Sequence, residues 1–411
     1  MGQLLSHPLT EKTIQYNDYK DHVPTTQVSS LSPRFFNCIG SMQGYRLTQE
    51  DAHMIINEDD SLHVRFYNPF KDTVEMYILS LFAVFDGHGG ADCSAFLSGG
   101  KGEHSGYNPK SGLAKWVQYA FENHHYGAEG THTVGEVCSA ISAKSHHHHS
   151  ADSDDSGRIQ RVFRTLEGLI AQVFKDAYML QDAELYKHFA NSTCGSTAVM
   201  AAIINGEMLY VVNCGDSRCI LSSKNHGIKT MSFDHKPQHI GELLRINDNG
   251  GTVSLGRVGG VLALSRAFSD FQFKRGVQYN NQGRRNVKGN YINNLSIAPQ
   301  EAQVTVEPDV IMHRIDYKKD EFLVLACDGI WDVYSNKQLV RFVKYHLAQG
   351  IKLDALLPKL LDHGIAQANS STGVGFDNMT AIVVVLNKNG ESLTDWYTKM
   401  KIRLEREKGI V

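Results

Sequence analysis

The chain has 411 residues, a formal net charge of −3 and a hydrophobic fraction of 42%. This is ample material for a large core, and the balanced charge excludes binding to nucleic acid, or to an anionic membrane, through overall electrostatics. Seven cysteines with no CxxC pair, no opening signal-like segment and no apolar run near the ~20 residues of a membrane helix exclude a disulfide scaffold and a helical span, and they point to the reducing cytosol or nucleus.

Residues 1–33 are polar, contain Pro24 and Pro33, and read as a flexible N-terminal tail. Its start, MGQLLS, fits the N-myristoylation pattern with Gly2 as acceptor and Ser6 in place. A single acyl chain would give weak, reversible membrane contact. A compact region is expected over 34–390. It opens with QGYRLTQEDAH, which carries Arg46, Glu50 and Asp51. An arginine there could clamp two phosphate oxygens with its planar fork, and the two acids could hydrogen-bond metal-bound waters. Taken alone, the segment reads first as an exposed charged turn.

The apolar run YILSLFAVF then predicts a strand that ends in FDGHGG, with Asp86, Gly87 and His88. Residues 98–111 and 127–160 read as insertions, the second holding His146–His149 and a Ser/Asp run that cannot build a core and is read as a solvated loop. Between and after them, helical spacing appears at Leu113, Trp116, Val117, Ala120 and Phe121, and again over 161–190. Strand-turn-strand spacing follows from Ser196 to Ile220, and a helix is predicted from Pro237 to the Asn249-Gly250-Gly251 stop. A third, basic insertion over 274–299 includes Lys274, Arg275, Arg284, Arg285 and Lys288 and is read as a solvated segment. Helices over 336–348 and 353–369, a strand over 379–386 and a charged C-terminal helix within 391–411 complete the chain. Hairpin-rich order predicts an α+β fold of antiparallel sheets covered by helices, rather than βαβ alternation.

Five apolar runs end in, or lie beside, an aspartate next to a small turn residue: Asp86, Asp216, Asp270, Asp328 and Asp377. One Asp-Gly is most simply a turn. Several at one sheet edge would form a carboxylate cluster that cannot stay ionised without cations, and hard Mg²⁺ or Mn²⁺ suit such oxygen ligands best. Asp86 could bridge two ions, the Gly87 carbonyl could approach one, and His88 could donate a proton to a leaving alkoxide. Asp216 could contact metal or pair with Arg218. Asp270 reads as a supporting carboxylate, and Asp332 and Asp51 could equally be rim charges. There is no Cys-x₅-Arg, P-loop, HRD/DFG set, Gly-x-Ser-x-Gly or HExxH. FDGH satisfies the Asp-x-His of calcineurin-like metallophosphoesterases, but their Gly-Asn-His element is missing. A catalytically silent phosphoprotein-binding scaffold is the alternative from another class.

The ordered motifs MQGYRLTQEDAH, FAVFDGHGG, CGSTAV, VVNCGDSR, FDHKP, GGVLALSRAFSD, FLVLACDGIWDV and GFDNMTAIVV closely resemble the metal-dependent type 2C Ser/Thr protein phosphatases, and a fungal cytosolic member in particular. The match runs from Asn37 to Leu386 outside the insertions. The resemblance implies a sandwich of two antiparallel β-sheets flanked by helices on both sides. It also implies two Mg²⁺ or Mn²⁺ ions held by Asp86, Gly87, Asp328 and Asp377, a weaker third framed by Asp216 and Asp328, and Glu50 and Asp51 acting through metal waters. Arg46 would hold the phosphate and His88 would act as general acid. The substrates would be phosphorylated proteins, which in fungal relatives often include stress-activated kinases, and the enzyme is expected to be a monomer. Ser269 departs from the pattern, where glycine is usual.

Overall fold

The computed structural model describes residues 4–18, 35–100, 111–124, 126, 163–274, 278–279, 285–286, 301–388 and 390–407. The first half contains β1 (Leu4–Asn17), β2 (Asn37–Arg46), β3 (Ala52–Ile56), β4 (Leu62–Asn68), β5 (Thr73–Phe85) and β6 (Gly87–His88). Helices α1 (Asp92–Ser98), α2 (Leu113–Asn123) and α3 (Leu166–Phe189) follow. Next come β7 (Gly195–Ser196), β8 (Ala198–Ile204), β9 (Met208–Cys214), β10 (Arg218–Ser223), β11 (Ile228–Thr230) and helix α4 (Ile240–Asp248). Short strands β12 (Val253–Ser254), β13 (Arg257–Val258), β14 (Phe268–Ser269), β15 (Gln278–Tyr279) and β16 (Arg285–Asn286) precede β17 (Asp309–Arg314) and β18 (Asp320–Ala326). The chain ends with α5 (Asp328–Trp331), α6 (Asn336–Ala348), α7 (Leu353–Ile365), β19 (Met379–Val385) and α8 (Leu393–Arg406).

Two antiparallel sheets carry the molecule. One runs β1-β2-β19-β18-β10-β11, the other β17-β9-β8-β5, with β3 and β4 sharing the free edge of β5. Period-2 alternation divides β5 and β8 of the second sheet between two cores. Phe82 and Val84 of β5, with Val199, Ala201 and Ile203 of β8, lie in the cluster that also holds β18, β19 and the apolar faces of α6, α7 and α8. Their neighbours Leu81, Ala83, Phe85, Met200 and Ala202 face α2 and α3 in a second cluster. Each of the larger buried side chains among them, such as Phe82, Val84, Leu81 and Met200, contributes roughly 1.5–3 kcal/mol of transfer free energy. The result is the four-layer helix-sheet-sheet-helix arrangement that the family resemblance implies, and it agrees with the antiparallel order expected from the hairpin spacing.

Local signals set the helix ends. Ser335 and Gln338 form a reciprocal capping box at the start of α6, and Thr165 accepts from the Gly168 N–H at the start of α3. The helix anticipated from Pro237 begins instead at Ile240, because the residues before it are engaged elsewhere: the His235 N–H donates to the Gly215 carbonyl at 3.0 Å and Lys236 pairs with Asp216. The helix anticipated to reach residue 369 stops at Ile365.

The expected tail over 1–33 needs correction. Residues 4–17 form β1, the outermost strand of the first sheet, paired antiparallel with β2 through register shifts on either side of Leu9. An edge strand needs only one hydrogen-bonded neighbour and tolerates a proline, so a polar segment containing Pro8 can take this place. Lys12 pairs with Asp362 of α7 at 2.6 Å, and the Tyr16 hydroxyl meets that of Tyr397 of α8 at 3.1 Å. Gly2, most of the insertions over 98–111 and 274–299, and all of 127–160 lie outside the described residues.

Candidate active site

Antiparallel parity brings the sequence-predicted residues to one rim. Strands β5 and β9 both flank β8 and so run the same way, which puts Asp86 and Asp216, each just past a strand end, on one side of the second sheet. In the first sheet β18 ends beside the start of β19, and β19 starts beside the end of β2. Asp328, Asp377 and Arg46 therefore share an edge. Carboxylate oxygens of Asp86, Asp216 and Asp328 lie within 4.8 Å of one another, and those of Asp51 and Asp86 lie equally close to one another and to the Cys327 sulfur.

Glycines permit the close approach. A Cβ on Gly87 would collide with the Glu50 carbonyl and stand 2.8 Å from Ser94 Oγ, and one on Gly329 would run into the Asn378 carbonyl. Asp86 is held at its backbone: its N–H donates to Thr197 Oγ1 at 3.2 Å, and its carbonyl accepts from the Thr197 N–H at 2.9 Å. Asn378 bolts the Arg46–Asp51 loop to the Asp377 turn. Its Oδ1 accepts from the Glu50 N–H at 2.9 Å, and its Nδ2 donates to the carbonyls of Gln43 at 2.8 Å and Thr48 at 3.0 Å.

Electrostatics mark the cluster as one that wants cations. Burial, followed by the charges of Asp328, Asp51 and Asp377, pushes the Asp86 carboxyl well above the usual range. Burial, then Asp216 and Asp377, does the same to Asp328, and burial raises Asp332. The Asp51 carboxyl is pushed up to about 7, chiefly by burial. Carboxylates so placed bind protons or metal. The donor set is oxygen-rich and suits a hard divalent ion. Cys327 does not alter this, because its sulfur already accepts from the Thr380 N–H at 3.1 Å and contacts the Asn378 carbonyl at 3.4 Å.

Cations frame the rim. Arg46 pairs with Asp377 while its side chain keeps 42% exposure, enough to face solvent. Asp216 pairs with Lys236, not with Arg218, which forks onto Asp234 at 2.9 and 2.8 Å and lies 5.0 Å over the Trp331 ring. His88 Nε2 lies 2.7 Å from Asp270 Oδ2. Burial opposes charge on His88, but the Asp270 carboxylate outweighs it and holds the imidazole above its ordinary value. Glu50 Oε1 accepts from Thr48 Oγ1 at 2.9 Å.

A family profile described as protein phosphatase 2C matches residues 101–373. "Protein phosphatase 2C homolog 4" of Saccharomyces cerevisiae is 66% identical over 420 residues, covering 100% of both chains. The chain belongs to the protein phosphatase 2C family. It is a serine/threonine protein phosphatase, a metal-dependent hydrolase that acts on phosphoproteins. "Protein phosphatase 2C homolog 2" of Schizosaccharomyces pombe is 31% identical over 411 residues, covering 100% of this chain and 85% of that one. The fold is shared with the crystal structure of a phosphatase from Toxoplasma gondii, with a TM-score of 0.54 at 21% identity over 91% of this chain and 95% of that one.

For this type 2C phosphatase, several residues around the rim escaped the sequence reading. Lys236 sits in FDHKP with no visible acidic neighbour at helical spacing. Asn378 follows Asp377 directly, and a side chain that accepts and donates at once beside a metal-type aspartate was its only signal. Lys274, assigned to the basic insertion, is instead 2% exposed and paired with Asp182 at 2.8 Å. Gly195 of CGSTAV lies under the His88–Asp270 contact, where a Cβ would collide with both side chains.

Proposed function

We propose that the rim hydrolyses phosphoserine and phosphothreonine with two Mg²⁺ or Mn²⁺ ions held by Asp86, Asp328, Asp377 and the Gly87 carbonyl. Asp216 and Asp328 would frame a weaker third ion, and Glu50 and Asp51 would act through metal waters. The observation that carries this reading is the convergence of the Asp86, Asp216 and Asp328 oxygens within 4.8 Å. Ions in such a two-metal site activate water as the nucleophile and neutralise phosphoryl charge. No covalent phosphoenzyme is required.

The protein's own groups do the rest. Arg46, partly exposed beside Asp377, offers its fork to the phosphate oxygens and fixes their orientation. His88, whose charged form the Asp270 carboxylate favours, gives its proton to the serine or threonine oxygen as the P–O bond breaks. A cytosolic setting is supported by six cysteines among the described residues, all unpaired and buried.

Phosphate release from a phosphothreonine peptide, measured with Mn²⁺ and with EDTA, tests the reading. Release only with metal is expected, and metal-independent release would overturn it. Asp86→Asn should weaken Mn²⁺ binding by more than the roughly 10–100-fold typical of supporting residues, and should abolish turnover. His88→Gln should slow the peptide far more than p-nitrophenyl phosphate, whose leaving group needs no proton. Equal slowing would remove His88 from the role of acid.

A further inference from the structure

The carboxylate that faces His88 hangs from an unusual turn. Ser269 (φ 60°) and Asp270 (φ 47°) are consecutive left-handed residues, and neither is glycine. Side chains resist that conformation, so such a pair persists only where its surroundings over-determine it. The turn closes the small sheet β14-β7-β6, in which Ser269 pairs with Gly195 and Gly195 with His88. A small error in the turn is thus passed directly to the imidazole contact.

The turn has a dedicated anchor in the middle of α3. Asp182 is 1% exposed, and its two oxygens are divided between the turn and a buried cation. Its Oδ1 accepts from the Ser269 N–H at 2.7 Å, and its Oδ2 accepts from Lys274 Nζ at 2.8 Å. Lys274 Nζ also donates to the Ala267 carbonyl at 2.8 Å and lies 5.4 Å from the Phe271 ring centre. One carboxylate and one ammonium therefore grip the segment before, within and after the left-handed pair. Around them stand Tyr178, Leu185, Phe268 and Phe271, all in the helix-side core. A buried ion pair in such a place adds little net stability compared with apolar side chains of like size. Its contacts go to the backbone of the turn, which is where a positioning role would direct them.

We propose that the Asp182–Lys274 pair positions the proton donor. It locks the Ser269–Asp270 turn so that Asp270 Oδ2 meets His88 Nε2, and it does so without touching substrate. The proposal rests on the reading of His88 as the acid.

The test compares kcat and KM for a phosphothreonine peptide and for p-nitrophenyl phosphate, with saturating Mn²⁺, in full-length wild type, Lys274→Met, Asp182→Asn, Lys274→Arg, His88→Gln and the His88→Gln/Lys274→Met double variant. Lys274→Met and Asp182→Asn should each lower peptide kcat by roughly 10–100-fold, and p-nitrophenyl phosphate kcat by less than about threefold, with KM little changed. Lys274→Arg should recover most of the loss, and the double variant should be no slower than His88→Gln alone. If Lys274→Met does not fold, Asp182→Asn and Lys274→Arg carry the same comparison. Equal slowing of both substrates by Lys274→Met or Asp182→Asn, while His88→Gln stays selective, overturns the positioning role alone. Equal slowing by His88→Gln overturns the acid assignment and this proposal with it.

Discussion

Lys236 sets its ammonium against the Asp216 carboxylate, at the end of the cluster where Asp328 and Asp332 also converge. The rim thus carries a resident positive charge where the third ion is proposed. Lys236→Met should tighten the weakest Mn²⁺ site by roughly tenfold or more, since a unit charge a few ångströms away is removed from partly buried surroundings. It should also lower the thermal midpoint of the metal-free protein, in which the carboxylates lose their internal counter-charge. Calorimetric titration decides, and an unchanged isotherm would separate Lys236 from the third site.

Arg46→Ala should reduce kcat/KM for a phosphothreonine peptide by about 10–100-fold, the loss of one or two charge-assisted hydrogen bonds to phosphate. Arg46→Lys should recover only part, because an ammonium lacks the planar fork. Full recovery by lysine would reduce the role of Arg46 to charge alone.

The cluster predicts a pH dependence of metal binding. Burial and like charges raise Asp86 and Asp328, and burial carries Asp51 from 3.8 to about 7. Between those values the folded, metal-free protein holds protons that the unfolded chain has released. Asp51 therefore stabilises the metal-free fold least at the upper end of that window, and the raised Asp86 and Asp328 act with the same sign. Cations must displace the same protons. Mn²⁺ affinity should rise with pH as these protons leave, with proton release measurable in buffers of different ionisation enthalpy. Asp51→Asn should diminish that release and make the metal-free protein more stable at pH 8. A pH-independent affinity would contradict the cluster's electrostatics.

Ser269→Gly should stabilise the protein. The native φ of 60° suits glycine, and Ser269 Oγ is buried with no hydrogen-bond partner among the described residues. Relief of about 1 kcal/mol is expected. Scanning calorimetry should show a rise of about 1–2 °C, with turnover unaltered, because the Ser269 N–H bond to Asp182 remains. A lower midpoint would mean that the serine side chain has a partner of its own.

The sandwich and its rim were legible because Asp86, Asp328 and Asp377 each adjoin a long apolar strand, so the residues that build the core also announce where the carboxylates sit. The edge strand β1 was not, since a strand with one neighbour and one open face needs no apolar run. Asp182 and Lys274 were hidden for a different reason. Their link spans 92 residues and is made through side chains, while Lys274 sits at the head of a basic run that draws the eye to solvent. The choice of Lys236 rather than Arg218 as partner of Asp216 likewise depends on where two loops meet in space.

The pairing of β2 with β19 has a consequence for synthesis. Asn37 lies opposite Val384 and Met42 opposite Met379, so the middle of one sheet joins the two ends of the chain. Strand β2 must wait, with its apolar face unmatched, until β19 has been translated more than 300 residues later, a situation that favours slow closure and aggregation of unfinished chains. The Arg46–Asp377 contact forms across the same seam. A copy that lacks Asp377 and β19 therefore has no assembled rim, and dephosphorylation can begin only once that segment has been made.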